Sequence, residues 1–309
     1  MRKSLPLIVT LLLFIAACRN PMGVQPLNET PTRGNIAISV DESFQLLYDT
    51  QIHTFESLYE NATIRVTYKP EIDVISDFMN DSVRTIVLTR ELTPQEKEYL
   101  TSQKFIPRTT KVAYDALAIV VHPENPDTNL LVDQFAAILK GEITTWNQLS
   151  KDATGKTINV VFDHNKSGNV RYFREKFSLT GKLPENCFAV NSNAEVIRYV
   201  SNNRNALGIL SVNWISDTRD SISERFLQSI RVVSVGDDPD NTCKPYQGYI
   251  AEGSYPFSRE VYMIGRETFA GLGSGFTSFV AGDQGQRIVL KARLVPATMP
   301  LRLIEIHKD

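Results

Sequence analysis

Between Asn35 and Tyr68 an apolar run is followed by a stretch with apolar residues every three or four positions, then by a second apolar run. Asn35–Val40 (NIAISV) predicts a strand, Ser43–Asn61 (SFQLLYDTQIHTFESLYEN) an amphipathic helix and Ala62–Tyr68 (ATIRVTY) the next strand. The alternation continues with a helix over Glu71–Ser82, a strand over Val83–Thr89 ending at Arg90, and a helix opened by Thr93-Pro94 with acidic residues in its first turn. Asp115–Pro123 (DALAIVVHP) is almost continuously apolar, as a strand buried on both faces should be. Helices are predicted over Leu130–Gly141 and Ala194–Asn203, a turn at Thr144–Leu149, and strands over Ala206–Val212 and Arg259–Gly265. A single helix is predicted over Ser274–Ala292. Strands alternating with helices define an α/β chain.

One junction recurs: a strand gives way to short polar residues and a helix begins. It occurs at Asp41–Ser43, Tyr68–Glu71, Thr89–Thr93 and Ser167–Asn169. The last lies in Val160–Phe173 (VVFDHNKSGNVRYF), where a strand breaks into Asp163, His164, Asn165, Lys166, Ser167, Gly168 and Asn169 before helical spacing resumes. Such a start presents free backbone N–H groups beside hydroxyl and amide donors, a common way to build a small anion site. Ser, Gly and Asn also serve as plain helix caps. Several such junctions converging between two α/β lobes would form a ligand cleft at the carboxyl ends of the strands.

The N-terminus adds a compartment. Residues 1–17 have the layout of a secretory signal peptide, with Arg2 and Lys3, an apolar core from Leu5 to Ile15, and small residues before Cys18. Ile15-Ala16-Ala17-Cys18 looks like a lipobox, in which Cys18 carries the lipid of a bacterial lipoprotein. Residues 18–33 are rich in Pro, Asn and Gly and read as a tether. An envelope location follows, lipid-anchored and exposed to the periplasm or exterior. Removing residues 1–17 leaves 31 basic against 35 acidic side chains, a formal charge of −4. The basic residues are scattered, which gives no support to nucleic-acid binding. Cys187 and Cys243 could pair in an exported protein, though spacing alone does not decide it. Neither the cysteines nor the four histidines show metal-site spacing, and no cofactor is implied.

Four segments carry a family resemblance: Asp115–Leu149 (DALAIVVHPENPDTNLLVDQFAAILKGEITTWNQL), Ala206–Ile215 (ALGILSVNWI), Tyr255–Ile264 (YPFSREVYMI) and Phe279–Ala297 (FVAGDQGQRIVLKARLVPA). In order and spacing they resemble the substrate-binding components of phosphate ABC transporters, over most of Asn35–Ala297. The resemblance implies a two-lobed periplasmic-binding-protein fold of type II, a mixed sheet flanked by helices in each lobe, with two hinge crossings. Lobe 1 would comprise residues 34–114 and 244–309, and lobe 2 residues 115–242. It further implies a monomer that binds inorganic phosphate in the cleft and delivers it to ABC-transporter permease subunits.

Residue by residue, the family's phosphate-binding GSGT loop corresponds to Ser167-Gly168-Asn169, with Asn in place of Thr. The first loop corresponds to Ser43-Phe44, and the end of the third strand to Thr89-Arg90. Where relatives have an aspartate, this chain has Arg90, which on this reading supplies the cation. Where some relatives have an arginine four residues before the loop serine, this chain has Asp163. The carboxylate that accepts the proton of phosphate, and so disfavours sulfate, would then be Glu71 or, second, Asp163. His164 is read as a cleft-rim residue, Arg171 as a solvated helix residue and Trp146 as a packing anchor.

A hydrolase built on Ser167 and His164 would need a base and an orienting acid held in geometry, and no G-x-S-x-G elbow surrounds Ser167, so no catalytic residue is assigned. A different task on the same fold remains open: an envelope oxyanion sensor or adaptor, or a binder of sulfate or molybdate.

Overall fold

A computed structural model describes residues 29–150, 155–217 and 220–298. The leader, Cys18 and the tether up to Asn28 lie outside the described residues. Glu29, the first described residue, has a carboxylate that accepts two hydrogen bonds from Arg84 (2.9 and 2.8 Å) and one from the Leu272 N–H (3.0 Å).

The strands are β1 (Gly34–Asp41), β2 (Ala62–Lys69), β3 (Thr85–Leu88), β4 (Arg108–Val121), β5 (Asn129–Leu131) and β6 (Asn159–Phe162). They continue with β7 (Cys187–Ala189), β8 (Ala206–Ser211), β9 (Arg231–Val232), β10 (Ser234–Gly236), β11 (Ser258–Gly265) and β12 (Val295–Pro296). The helices are α1 (Gln45–Leu58), α2 (Glu71–Met79), α3 (Pro94–Ser102), α4 (Val132–Lys140), α5 (Gly168–Lys176) and α6 (Asn193–Asn202). They are completed by α7 (Ser221–Ser229), α8 (Gln247–Ala251), α9 (Leu272–Ala281) and α10 (Asp283–Lys291).

The main sheet runs β2-β1-β3-β11-β4-β8-β6-β7, and β4 joins its two parts. As far as Ala116 this strand pairs antiparallel with β11, and from Leu117 onward with β8. The first lobe is therefore the parallel set β2-β1-β3 with β11 at its side, and the second the parallel set β8-β6-β7. The chain returns across the boundary at Phe257–Ser258. Phe257 packs edge-on to Phe173 and Phe177 of the second lobe, and Ser258 opens β11. These are the two hinge crossings.

The strand predicted from Asp115 begins earlier, at Arg108, since its first residues are sheltered by β11 while remaining polar in pattern. From Val112 to Val121 every residue but Tyr114 is buried. The single helix predicted over Ser274–Ala292 is two helices broken at Gly282, whose backbone is extended (ψ 176°). The break folds α10 back on α9 so closely that a Cβ on Gly285 would lie 2.4 Å from Val280 Cα. Amphipathic spacing persists through the break, which is why it reads as one helix. Trp146 is buried as expected, with Nε1 donating to the Asn205 carbonyl at 3.1 Å. Cys187 and Cys243 are free thiols.

Candidate functional site

The parallel strands of the first lobe end side by side, which brings three of the predicted junctions together. After β1, the Asp41 Oδ1 accepts from the Ser43 N–H at 2.9 Å and caps the short turn Glu42–Phe44 that leads into α1. Asp41, Ser43 and Phe44 are all buried. After β2, Pro70 ends the strand and Glu71 starts α2, where an acidic residue meets the positive end of the helix. After β3 comes Thr89, also buried.

Across from these ends lies the turn between β6 and α5. Ser167 is the helix cap: its Oγ donates to Asp163 Oδ1 (2.7 Å) and accepts from the Val170 N–H (3.3 Å). Gly168 is needed for close approach. A Cβ there would lie 2.7 Å from Thr89 Oγ1, 2.8 Å from Glu71 Oε2 and 3.1 Å from Asp41 Oδ2. The start of α5 thus meets side chains from all three strand ends of the other lobe. Ser43, Phe44, Glu71, Thr89, Ser167, Gly168 and Asn169 are brought to one place.

Arg90 is turned elsewhere. Its guanidinium forks onto Glu96 (2.7 and 2.8 Å), the residue that closes the capping box with Thr93 at the start of α3. Only its Nε approaches the cleft, 3.7 Å from Glu71. The cations in the cleft are two residues not assigned there from sequence. Arg171, expected to be solvated, reaches Glu71 through Nε (2.5 Å) and Nη2 (3.1 Å) and Thr89 through Nη2 (2.9 Å). Arg259 is buried at the hinge, directly opposite Asp115 in the β4–β11 ladder. Its Nε donates to Asp115 Oδ2 (2.9 Å), and Nη1 donates to Asn169 Oδ1 (2.7 Å). Its Nη2 lies 2.8 Å from the same Asp115 oxygen as an ionic contact without hydrogen-bond alignment. The Phe44 ring lies under the guanidinium, 5.7 Å from centroid to Cζ. The signal for Arg259 is the arginine of Tyr255–Ile264, the only basic side chain in that segment.

The cleft is rich in acids. Burial pushes Asp41 up to about 7 against the opposing pull of Arg259, with Glu71 and Asp163 adding to the rise. Burial likewise lifts Glu42 to about 8, although Asn193 donates to it from both its side chain and its backbone. Asp115 and Asp163 are raised by burial too, each partly offset by Arg259. Glu71 moves the other way. Burial alone would raise it, but the hydrogen bonds and charge of Arg171, together with Thr89 and Arg90, outweigh that and keep it ionised. Glu71 had been expected to hold a free acceptor for the proton of phosphate, yet three hydrogen bonds from Arg171 and Thr89 already fall on its two oxygens. Among the carboxylates described in the cleft, the oxygen without a partner is Asp41 Oδ2. Besides Arg259 Nη2, two buried donor groups nearby are without a hydrogen-bond partner in the protein, Ser43 Oγ and Asn169 Nδ2. Unpaired buried polar atoms are costly, and three around one helix start mark a place built for a polar ligand.

Comparisons with known proteins place this architecture. A family model described as a PBP superfamily domain matches residues 26–284. The phosphate-binding protein PstS of Pseudomonas aeruginosa is 23% identical over 288 residues, covering 88% of this chain and 85% of that one. The protein of the same name from Borreliella burgdorferi is 22% identical over 264 residues, covering 82% and 87%. The structure matches a phosphate ABC transporter substrate-binding protein from Clostridium perfringens with a TM-score of 0.74 at 22% identity, over 85% of this chain and 100% of that one. An ABC-type phosphate transport receptor from Vibrio cholerae matches with a TM-score of 0.65, at the same identity and coverage. The fold is that of the type II periplasmic binding proteins, and these relatives bear the names of binding proteins, not of enzymes. The chain belongs to the PBP superfamily.

Proposed function

We propose that this protein captures a small oxyanion, inorganic phosphate, between its lobes and hands it to an ABC-transporter permease. The observation that carries this reading is the set of unpartnered buried donors, Ser43 Oγ and Asn169 Nδ2, at a helix start flanked by Arg259 and Arg171. Hydroxyl, amide and guanidinium donors around a helix N-terminus suit a tetrahedral oxyanion. The names of the relatives supply the choice of phosphate. Binding residues on this reading are Ser43, the Phe44 loop, Thr89, Ser167, Gly168 and Asn169, with Arg259 and Arg171 supplying the positive charge.

The domain boundaries belong to the same proposal. The sequence-based boundaries at 114/115 and 242/244 move to the crossings of the sheet, so that residues 34–116 and those from Ser258 onward make one lobe and residues 117–257 the other, behind a signal peptide (1–17) and a tether (18–33) lipidated at Cys18. Anchoring at Cys18 keeps the protein at the membrane that holds the permease. Cys18→Ser should release the protein or leave its signal uncleaved. Unchanged membrane fractionation and unchanged lipid labelling would count against the anchor.

Discrimination against sulfate is assigned to Asp41. Phosphate keeps a proton near neutral pH that sulfate lacks, and Asp41 Oδ2 can accept it, while facing sulfate as an unpaired charge. Calorimetry should show phosphate binding more tightly than sulfate, and Asp41→Asn narrowing the gap by roughly tenfold, about 1.4 kcal/mol. Equal affinities in the unmodified protein would point to a general oxyanion binder.

A further inference from the structure

At the start of α5, where an incoming oxyanion would sit, the structure already holds an anion. The Glu71 carboxylate belongs to the first lobe, yet its ionic partner Arg171 belongs to α5 of the second. Its Oε2 lies 2.8 Å from where a Cβ of Gly168 would be and accepts from Thr89 Oγ1 at 2.8 Å. The side chain is 2% exposed. Two donors of the proposed site, a guanidinium and a threonine hydroxyl, are therefore already taken by a protein group that lies against the glycine of the helix start. The neighbouring residues of α2 dock alongside. The Ile72 N–H donates to the Lys166 carbonyl (3.2 Å), and Lys166 Nζ reaches Asp73 Oδ1 (2.9 Å). The first turn of α2 thus lies along the segment from Lys166 to Arg171.

We propose that Glu71 is an internal stand-in for the ligand, a carboxylate latch that closes the two lobes on each other when no ligand is bound. The inference rests on the capture reading and adds regulation to it. An oxyanion enters by displacing Glu71 from Arg171 and the start of α5, so its apparent affinity is reduced by the free energy of that internal contact. A carboxylate offers two oxygens where phosphate offers four, so the latch is a weaker occupant of the same donors and can be displaced. It also sets a threshold. Weak anions such as chloride or acetate gain too little from these donors to open it.

The latch and an ordinary structural ion pair make opposite predictions for the two partners. Glu71→Gln removes the charge of the stand-in but leaves Arg171 for the ligand. The ligand-free variant should show a larger radius of gyration in small-angle scattering, and its phosphate affinity should rise by about tenfold or more. Arg171→Met should also expand the ligand-free protein, but phosphate should bind less tightly, because the ligand loses the guanidinium as well. If the dimensions of both ligand-free variants match the parent, the latch is overturned. It is equally overturned if Glu71→Gln binds phosphate no better than the parent, or if both variants shift affinity in the same direction. Absence of phosphate binding in the parent and both variants would sink the capture reading instead, and the scattering of the ligand-free proteins would still decide the latch.

Discussion

Arg259→Met should destabilise the protein by about 3–5 kcal/mol and abolish anion binding in whatever fraction remains folded. The guanidinium is 2% exposed and its partner Asp115 is fully buried, so the substitution leaves a carboxylate in the interior with no counter-charge. Breaking a buried pair from one side costs about this much, because the desolvation of the remaining charge is no longer offset. Ser211 would still donate to Asp115 (3.0 and 3.1 Å), which softens the loss without supplying charge. Asp115 can also escape by binding a proton, since burial already raises it and Arg259 is what restrains it. The measured loss should therefore be smaller at pH 5 than at pH 8. The double variant Arg259→Met/Asp115→Asn removes both charges and should recover most of the stability, while binding stays absent because the cleft lacks its buried cation. Denaturant melts of the three proteins test this. A single variant within about 1 kcal/mol of the parent would mean that the pair does not carry the hinge.

The position of Arg259 also shows which parts of the site were legible in the sequence. Strand-to-helix junctions can be read from local signals: capping residues, a glycine, and a change from one apolar period to another. Each of those predicted is present, and their convergence follows from the parallel order of β1, β2 and β3. The Gly168 prediction rested on the strand-to-helix junction and on the match to the family's GSGT loop. Its stronger reason, three side chains of the opposite lobe within about 3 Å of its missing Cβ, arises only from tertiary packing. Charge partners were the least legible. Arg90 and Glu96 are six residues apart, and the capping box that places Glu96 is a sequence feature, so that pair could have been found. Glu71 and Arg171 are a hundred residues apart, and Arg259 and Asp115 are 144 apart. No periodicity encodes such pairs. Arg171 was read as a solvated helix residue, yet its position one turn into α5 brings it to Glu71 and Thr89 of the opposite lobe.

The acids that distinguish this cleft should make the ligand-free protein less stable as pH rises through neutrality. A carboxyl whose folded pKa lies above its unfolded value binds its proton more tightly in the folded state. Its contribution is complete below the unfolded pKa and is lost as pH rises through the folded one. For Asp41 that interval runs from 3.8 to about 7. At 1.36 kcal/mol per pH unit, it amounts to an upper figure on the order of 4 kcal/mol. Glu42, pushed up to about 8, extends the decline to higher pH. Glu71 has the opposite sign: its folded pKa is depressed, so its contribution is present above the unfolded value and lost as pH falls through the folded one. The melting temperature of the ligand-free protein should therefore be higher on the acid side of neutrality and fall steadily from pH 5 to pH 8.5. Asp41→Asn should flatten the decline between pH 5 and 7 and leave the part above pH 7, to which Glu42 contributes. The same ionisation bears on selectivity. Phosphate retains at least one proton across this interval, while Asp41 becomes a charged acceptor only above about 7, so the preference for phosphate over sulfate should grow from pH 6 to pH 8 and should not grow in Asp41→Asn. A melting temperature that rises from pH 5 to 8.5, or a preference that is flat in the parent protein, would show that Asp41 is ionised throughout.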